Sequence, residues 1–556
     1  GVDGQSAALR HGHDHRGPVL LRDPECARSR DGTQRLGARE CRGQRGAYAL
    51  HEPGVIVHDQ YPSIRHLDTT SHLDRSGGGA ADSPVTERRG ACHWMTPARN
   101  PPTHPVTVPA IMGGRNRTGG AGLDPVHVHI KSLAHGGDGV AILPDGRTVF
   151  VAGACPGDEA DIELTASHDR WAKARIVTLR VPSADRVEPR CPYFGVCGGC
   201  QWQHIAYEVQ LAAKRQVLVD ALERIGGFTE PPVAEAVPSP SIYGYRNKIE
   251  LTAGSEQGGV AFGFTRVGSH DLVRIGECHL LPEASRMLPK ALAGALRFSA
   301  SRGASGVLRA ALRVSRDGEV SVDLWSAGGP FPRAAVARVV KESTGATTVT
   351  RVIVRGDLKA RDVSKVEVLA GPGAWTETLG EDRYLVSAPS FFQVNTRAAE
   401  LLRAEAFSAL SLDGTMRVAD LYAGVGTFTL PMARLAGSVT AVEGSRHALG
   451  DLRRNLERAG VDADVAPGDA ARVLPELGHL DAVLVDPPRT GLSESAVSSL
   501  VAVGPQRLVY VSCDPATLAR DVAVLVAHGY TAQRFVPVDL FPQTYHLETV
   551  ALFERT

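Results

Sequence analysis

A single cysteine stands where an apolar run gives way to a polar turn. In VYVSCDPATLARD, Cys513 follows the strand-like RLVYVS and precedes Asp514 and Pro515, a pair suited to starting a helix. A thiol near a helix N-terminus is expected to have a lowered pKa and a larger thiolate fraction, which makes Cys513 a candidate nucleophile. A buried, inert cysteine is the plainer reading of the same residue. Downstream, PQTYHLETVALFER places His546 and Glu548 before and at the start of a final apolar run. Glu548 is there either a general base or an ordinary edge carboxylate. DPPRTG at 486–491 closes another apolar run, and its paired prolines stiffen the segment that carries Asp486 and Arg489.

A second group of residues suits a nucleoside ligand. VADLYAGVGTFTL reads as a strand ending at Leu421, a loop containing Gly424 and Gly426, and a helix from about Thr427. The glycines let backbone approach a ligand closely. Glu443 ends the next apolar run, where its two oxygens can hold ribose hydroxyls, and Asp469 follows the third, placed to face an adenine edge. Asp469 serves equally well as a helix cap. Thr427 replaces the third glycine of the dinucleotide fingerprint, which argues against a pyrophosphate-bearing cofactor and against an oxidoreductase.

Cys191, Cys197 and Cys200 have the spacing C-x5-C-x2-C in CPYFGVCGGC, and Cys278 follows in GECHL. Four thiolates suit tetrahedral zinc and a four-iron cluster equally well by count. Gly198 and Gly199 are expected to take backbone angles that turn Cys197 and Cys200 toward one centre. Such a site would clamp two segments distant in sequence.

These residues need a scaffold of several parts, and 556 residues are enough for one. Residues 1–120 have no clear periodicity and are expected to be disordered or a non-native extension; His11, His13 and His15 there are a candidate metal group or a polar tail. Short alternating runs from 125 to 183, with a turn at Asp145–Gly146, predict a small OB-like β-barrel. Residues 184–375 predict a β-rich central domain that bears the cysteines, with helices over about 204–225 and 281–300. Residues 376–556 alternate strand and helix, which predicts a doubly wound, Rossmann-like sheet with ligands at the carboxyl ends of its strands. The whole is multidomain, α+β followed by α/β.

Lys plus Arg and Asp plus Glu number 61 each, so nucleic-acid contact would have to rest on local patches rather than net charge. Arg246, Lys248 and Arg266 are candidate phosphate contacts. No apolar run approaches the roughly 18 residues of a membrane span, and the first residues lack a secretory pattern. With reduced thiols, these features lead to the expectation of a cytoplasmic monomer.

Taken together, CPYFGVCGGC with GECHL, YRNK at 245–248, SHDLV at 269–273, SFFQVN at 390–395, DLYAGVGTFTLP, DPPR, SCDP and HLETV resemble the bacterial RNA (uracil-5-)-methyltransferase family, from about residue 125 to the C-terminus. The resemblance implies a TRAM-like barrel at 125–183 and S-adenosylmethionine held by Gln393, Tyr422, Thr427, Glu443, Asp469 and Asp486, with Gly424 in the same loop. It implies Cys513 as nucleophile, Glu548 as proton acceptor, and a [4Fe-4S] cluster on Cys191, Cys197, Cys200 and Cys278. Thr427 stands where the family usually has Asn, and Ala423 where it often has Cys. The implied reaction methylates C5 of a uridine in structured RNA, 23S ribosomal RNA by the iron–sulfur branch. The alternatives are the same reaction on transfer RNA and a non-catalytic RNA-binding protein.

Overall fold

Alternating apolar residues build the first sheet. In the computed structural model, β1 (Val126–His129), β2 (Ser132–Leu133), β3 (Gly139–Ile142), β4 (Thr148–Ala152), β5 (Glu159–Ser167) and β6 (Trp171–Val181) pair in the order β1-β5-β6-β4-β3-β2. Ile130, Val149, Val151, Ala160 and Ile162 are fully buried inside its curl, as a half-buried strand of period two requires. Register shifts between β5 and β6 increase the bend. The Asp145–Gly146 turn joins β3 to β4 as expected, with Gly146 at φ +86°. β1 and β2 end the sheet at opposite edges, so the small OB-like barrel expected is a curled half-barrel. The structure describes residues 125–256, 259–304, 306–355 and 362–556. The 1–120 segment, with the His11, His13 and His15 group, lies outside the described residues.

Helix α1 (Tyr207–Arg224) follows the cysteine-bearing loop. Leu218 and Leu222 are buried on this helix, and so are the polar Gln210 and Lys214. Their partners explain this. Lys214 Nζ meets Asp539 Oδ1 at 2.5 Å and Phe541 O at 3.0 Å. Gln210 Oε1 accepts the N–H of Gln543 at 2.9 Å.

The middle of the chain forms β7 (Lys248–Glu256), β8 (Gly259–Thr265), β9 (Leu272–Val273), β10 (Val307–Val314), β11 (Val320–Ser326), β12 (Thr348–Val354) and β13 (Val363–Ala370). They make one sheet in the order β13-β12-β11-β10-β7-β8-β9. Helices α2 (Leu288–Ser301) and α3 (Arg333–Thr344) bury Leu292, Leu296, Val336 and Val340 against it. The helix expected over 281–300 begins only at Leu288, because Pro289 is tolerated in a first turn and bars continuation toward the N-terminus.

A hairpin of β14 (Ala374–Leu379) and β15 (Asp382–Ser387), then α4 (Thr396–Leu410), leads into the last sheet. Its strands are β16 (Arg417–Leu421), β17 (Ser438–Glu443), β18 (Asp464–Pro467), β19 (Ala482–Val485), β20 (Arg507–Ser512), β21 (Tyr530–Val538) and β22 (Glu548–Arg555), in the order β18-β17-β16-β19-β20-β22-β21. The first five are parallel, and β22 runs antiparallel between β20 and β21. Helices α4, α5 (Thr429–Leu435) and α6 (Arg446–Ala459) cover one face. Helices α7 (Ala470–Val473), α8 (Glu494–Val503), α9 (Pro515–Ala527) and α1 cover the other. Burial on both faces is why the strands read as continuous apolar runs. The order reverses between β16 and β19, which opens a crevice at their carboxyl ends.

Candidate active site

The glycine loop leaves β16 into that crevice. Tyr422 sits at φ +66°, Gly424 at +58° and Gly426 at +96°. A non-glycine residue held at positive φ costs energy and is most often kept where a loop has work to do. The two glycines differ. A Cβ on Gly426 would lie 2.6 Å from Leu430 Cδ1 and 2.8 Å from Leu452 Cδ1, so this glycine serves packing. A Cβ on Gly424 would meet nothing closer than 4.0 Å, so its face of the loop is open. Glu443 Oε2 accepts the N–H of Gly424 at 2.8 Å and its Oε1 that of Ser445 at 2.5 Å. Each oxygen keeps a lone pair for a ligand hydroxyl.

Gln393 is buried on the loop after β15, and its Oε1 has no partner. Asn247 of YRNK holds that loop, donating to Gln393 O at 3.0 Å and Thr396 Oγ1 at 3.1 Å. Thr427 is half-buried, and its carbonyl accepts from Tyr384 at 3.2 Å. Asp469 caps α7 through the N–H of Ala471 at 3.0 Å, the plainer of its two expected roles. Asp486 ends β19, where burial and the neighbouring Asp420 raise its carboxyl to about 7. An open glycine face, an acceptor-rich Glu443 and the orphaned amide oxygen of Gln393 fit a nucleoside with an amino-acid tail.

Cys513 and Glu548 lie near each other at the edge formed by β20 and β22. The antiparallel register of these strands sets Ser512 against Thr549. Cys513 and Glu548 are the next residues along, and Glu548, buried at the start of β22, acts electrostatically on the Cys513 thiol. The expected lowering of the Cys513 pKa is overturned. Burial pushes its thiol well up, and Glu548, Asp486 and Asp514 push the same way, while Arg489 opposes them. The helix end cannot compensate, because Asp514 Oδ1 already takes the N–H groups of Ala516 and Thr517 at 3.0 and 2.9 Å. Arg489 Nη2 lies 3.3 Å from His546 Nδ1.

Cys191, Cys197, Cys200 and Cys278 line one pocket, which encloses about 760 Å³ with its open mouth included. Gly198 and Gly199 are not among the glycines at positive φ, so the special backbone angles expected of them are not of that kind. Gly198 is needed for close approach, since its N–H donates to Thr265 O at 2.9 Å and a Cβ would lie 3.2 Å from that oxygen. Burial raises the Cys191, Cys197 and Cys200 thiols, Cys197 to about 12, and the neighbouring thiols add to the effect. Among the described residues no group of three or more His, Cys, Asp or Glu closes on a point that would hold one metal ion. The closed metal-holding cysteine cluster expected from the spacing is therefore not drawn together. The donor chemistry still fits a thiophilic group.

Of the candidate phosphate contacts, Arg246 is buried with Nε on Lys248 O at 2.8 Å, and Lys248 is engaged with Glu250 at 2.6 Å. Arg266 remains at the surface, 4.0 Å from Asp271. Sequence reasoning missed Asn247 as the tie beneath Gln393, and Gln543, whose carbonyl at φ +72° accepts the N–H groups of Gln201 and Trp202, both at 3.0 Å. Neither carries a local signal, since each works through segments distant in the chain. Among the described residues no helix is long and apolar enough to cross a membrane.

Comparison with known proteins agrees with this arrangement. Residues 476–556 match the tRNA (Uracil-5-)-methyltransferase family, residues 125–177 the TRAM domain, and residues 398–510 the methyltransferase small domain. An uncharacterized RNA methyltransferase of Halalkalibacterium halodurans is 34% identical over 445 residues, covering 78% of this chain and 97% of that one. One from Gloeobacter violaceus is 36% identical over 449 residues, covering 78% and 96%. The crystal structure of Pyrococcus abyssi tRNA (uracil-54, C5)-methyltransferase with S-adenosyl-L-homocysteine superposes with a TM-score of 0.60 at 28% identity, covering 78% of this chain and all of that one.

Proposed function

The chain belongs to the TRAM-bearing family of S-adenosylmethionine-dependent RNA (uracil-5-)-methyltransferases, and from that premise we propose that it methylates C5 of a uridine through a covalent bond from Cys513 to C6. The observation that supports this mechanism is the nearness of Cys513, just past the end of β20, to the buried Glu548 at the start of β22.

Uracil C5 is a weak nucleophile. Addition of the Cys513 thiolate at C6 moves the C5–C6 electron pair onto C5 and O4, making C5 reactive. Gln393, Tyr422, Gly424, Thr427, Glu443, Asp469 and Asp486 would hold S-adenosylmethionine, whose sulfonium would give its methyl group to C5 and leave as S-adenosylhomocysteine. Once C5 carries four substituents, Glu548 takes its proton. The freed pair re-forms the C5–C6 bond and expels the thiolate. Arg489, the group that favours the charged thiol, steadies it on departure. A stacked target base must first be flipped toward this edge, at a cost of a few kcal/mol, with the half-barrel and central sheet supplying the surface that grips the RNA.

The substrate class favoured here is transfer RNA, because both the matched family and the Pyrococcus abyssi enzyme are named for it. The ribosomal expectation rests on the cysteines. For these, a [4Fe-4S] cluster on Cys191, Cys197, Cys200 and Cys278 is the proposed occupant, with zinc as the rival. Support comes from four thiols on the wall of one pocket.

Labelled RNA and a denaturing gel test the mechanism. Glu548→Gln accumulates a protein–RNA adduct and Cys513→Ala forms none; methylation by Cys513→Ala would sink the proposal. Mapping 5-methyluridine in transfer and ribosomal RNA, with and without the protein, assigns the substrate. A purified chain with about four irons and four sulfides supports the cluster, and stoichiometric zinc replaces it.

A further inference from the structure

The turn between β2 and β3 brings a histidine from the half-barrel to the reactive edge. His135 Nε2 lies 3.7 Å from Asp514 Oδ2, on the residue directly after Cys513. Its ring stands edge-on to Tyr545, with centroids 5.5 Å apart and planes at 83°. Tyr545 in turn lies against His546, at 4.4 Å. The turn is held in place. Gly137 O accepts Trp202 Nε1 at 2.9 Å, and Gly137, at φ +99°, sits so close to its neighbours that a Cβ would be 3.0 Å from Gln201 and 3.2 Å from Tyr545.

Asp514 explains why this placement matters. Its Oδ1 is committed to the N-terminus of α9, and its Oδ2 faces His135. The carboxylates Glu548, Asp486 and Asp514 all oppose ionisation of the Cys513 thiol, and Arg489 favours it. A second cation on Asp514 would remove part of that burden.

We propose that His135 is a positioning residue for the nucleophile: it holds the Asp514 carboxylate beside Cys513, so that the half-barrel forms part of the active-site wall. The proposal rests on the reading of Cys513 as the nucleophile. The pair is partly exposed, at 37% and 26%, so its effect is a few-fold change rather than an all-or-none switch.

The test measures alkylation of Cys513 by iodoacetamide in the full-length, RNA-free protein, followed by mass spectrometry of the Cys513 peptide. His135→Ala slows this alkylation about fivefold, the size of a good exposed ion pair. It lowers kcat for RNA methylation by a similar factor and leaves KM for RNA unchanged. His135→Lys, which places a fixed cation against Asp514, recovers both rates. An unchanged alkylation rate overturns the proposal, and so does a loss confined to KM, which would make His135 a plain RNA contact. Faster alkylation also overturns it, since a loosened fold would expose the thiol. Failure of the methylation reading is separate: it appears as a wild-type protein that forms neither adduct nor 5-methyluridine, while the alkylation ratio still decides the role of His135.

Discussion

Asp420 and Asp486 occupy adjacent strands beneath the glycine loop. Burial raises each carboxyl to about 7, helped by Glu443 at Asp420 and by Asp420 at Asp486. Both folded values exceed the ordinary 3.8, so the native state favours the protonated acids. Their contribution to stability is complete below that ordinary value and is lost as pH rises to about 7. Asp420→Asn, which cannot ionise, therefore flattens the decline in melting temperature across this interval; an unaltered slope would place the decline elsewhere. The same physics limited what the sequence showed about Cys513. Its position after a strand was legible in SCDP. Its elevated pKa was not, because it arises from burial and from Glu548 and Asp486, which only the fold brings near.

The elements themselves were largely legible. Strands β16, β17, β19, β20 and β22 appear where apolar runs predicted them, since buried strands have little polar alternation to confuse the reading. The polar buried face of α1 was not, because Gln210 and Lys214 owe their burial to partners at 539–543. The β16–α5 loop yields a sharper prediction, since its glycines divide their labour. Gly426→Ala forces a Cβ against Leu430 and Leu452 at positive φ and costs about 1–3 kcal/mol in urea denaturation. Gly424→Ala costs less, about 1 kcal/mol, because its surroundings are open. It weakens S-adenosylmethionine binding in calorimetry more than Gly426→Ala does for each kcal/mol of stability lost. Equal ratios would show that Gly424 also serves only the fold.

Across the whole molecule, Trp202 is the shared contact. Fully buried, it packs with Leu133 and Cys155 of the half-barrel region, with Ile205, and with Val209, Ala213 and Tyr545. Trp202→Ala is expected to destabilise the protein by about 3–5 kcal/mol, measured by denaturation, and to slow adduct formation because Tyr545 loses its backing. A variant with ordinary stability would show that the half-barrel is held by other contacts. The backbone of the same segment ties the loop after Cys200 to Gln543, a few residues before Glu548. Thiol pocket, half-barrel and reactive edge thus share one joint, which residue spacing could not reveal.

The insertion of β22 between β20 and β21 has a consequence for the order of events at the ribosome. Translation delivers the half-barrel, the glycine loop and Cys513 well before Glu548, and β21 must wait for β22 before it can join the sheet. On the mechanism proposed above, a chain made only as far as Cys513 would have a thiol without the partner that releases RNA from it. Because burial and Glu548 raise that thiol, on the mechanism proposed above the arrival of β22 would both shield the nucleophile and complete the means of turnover.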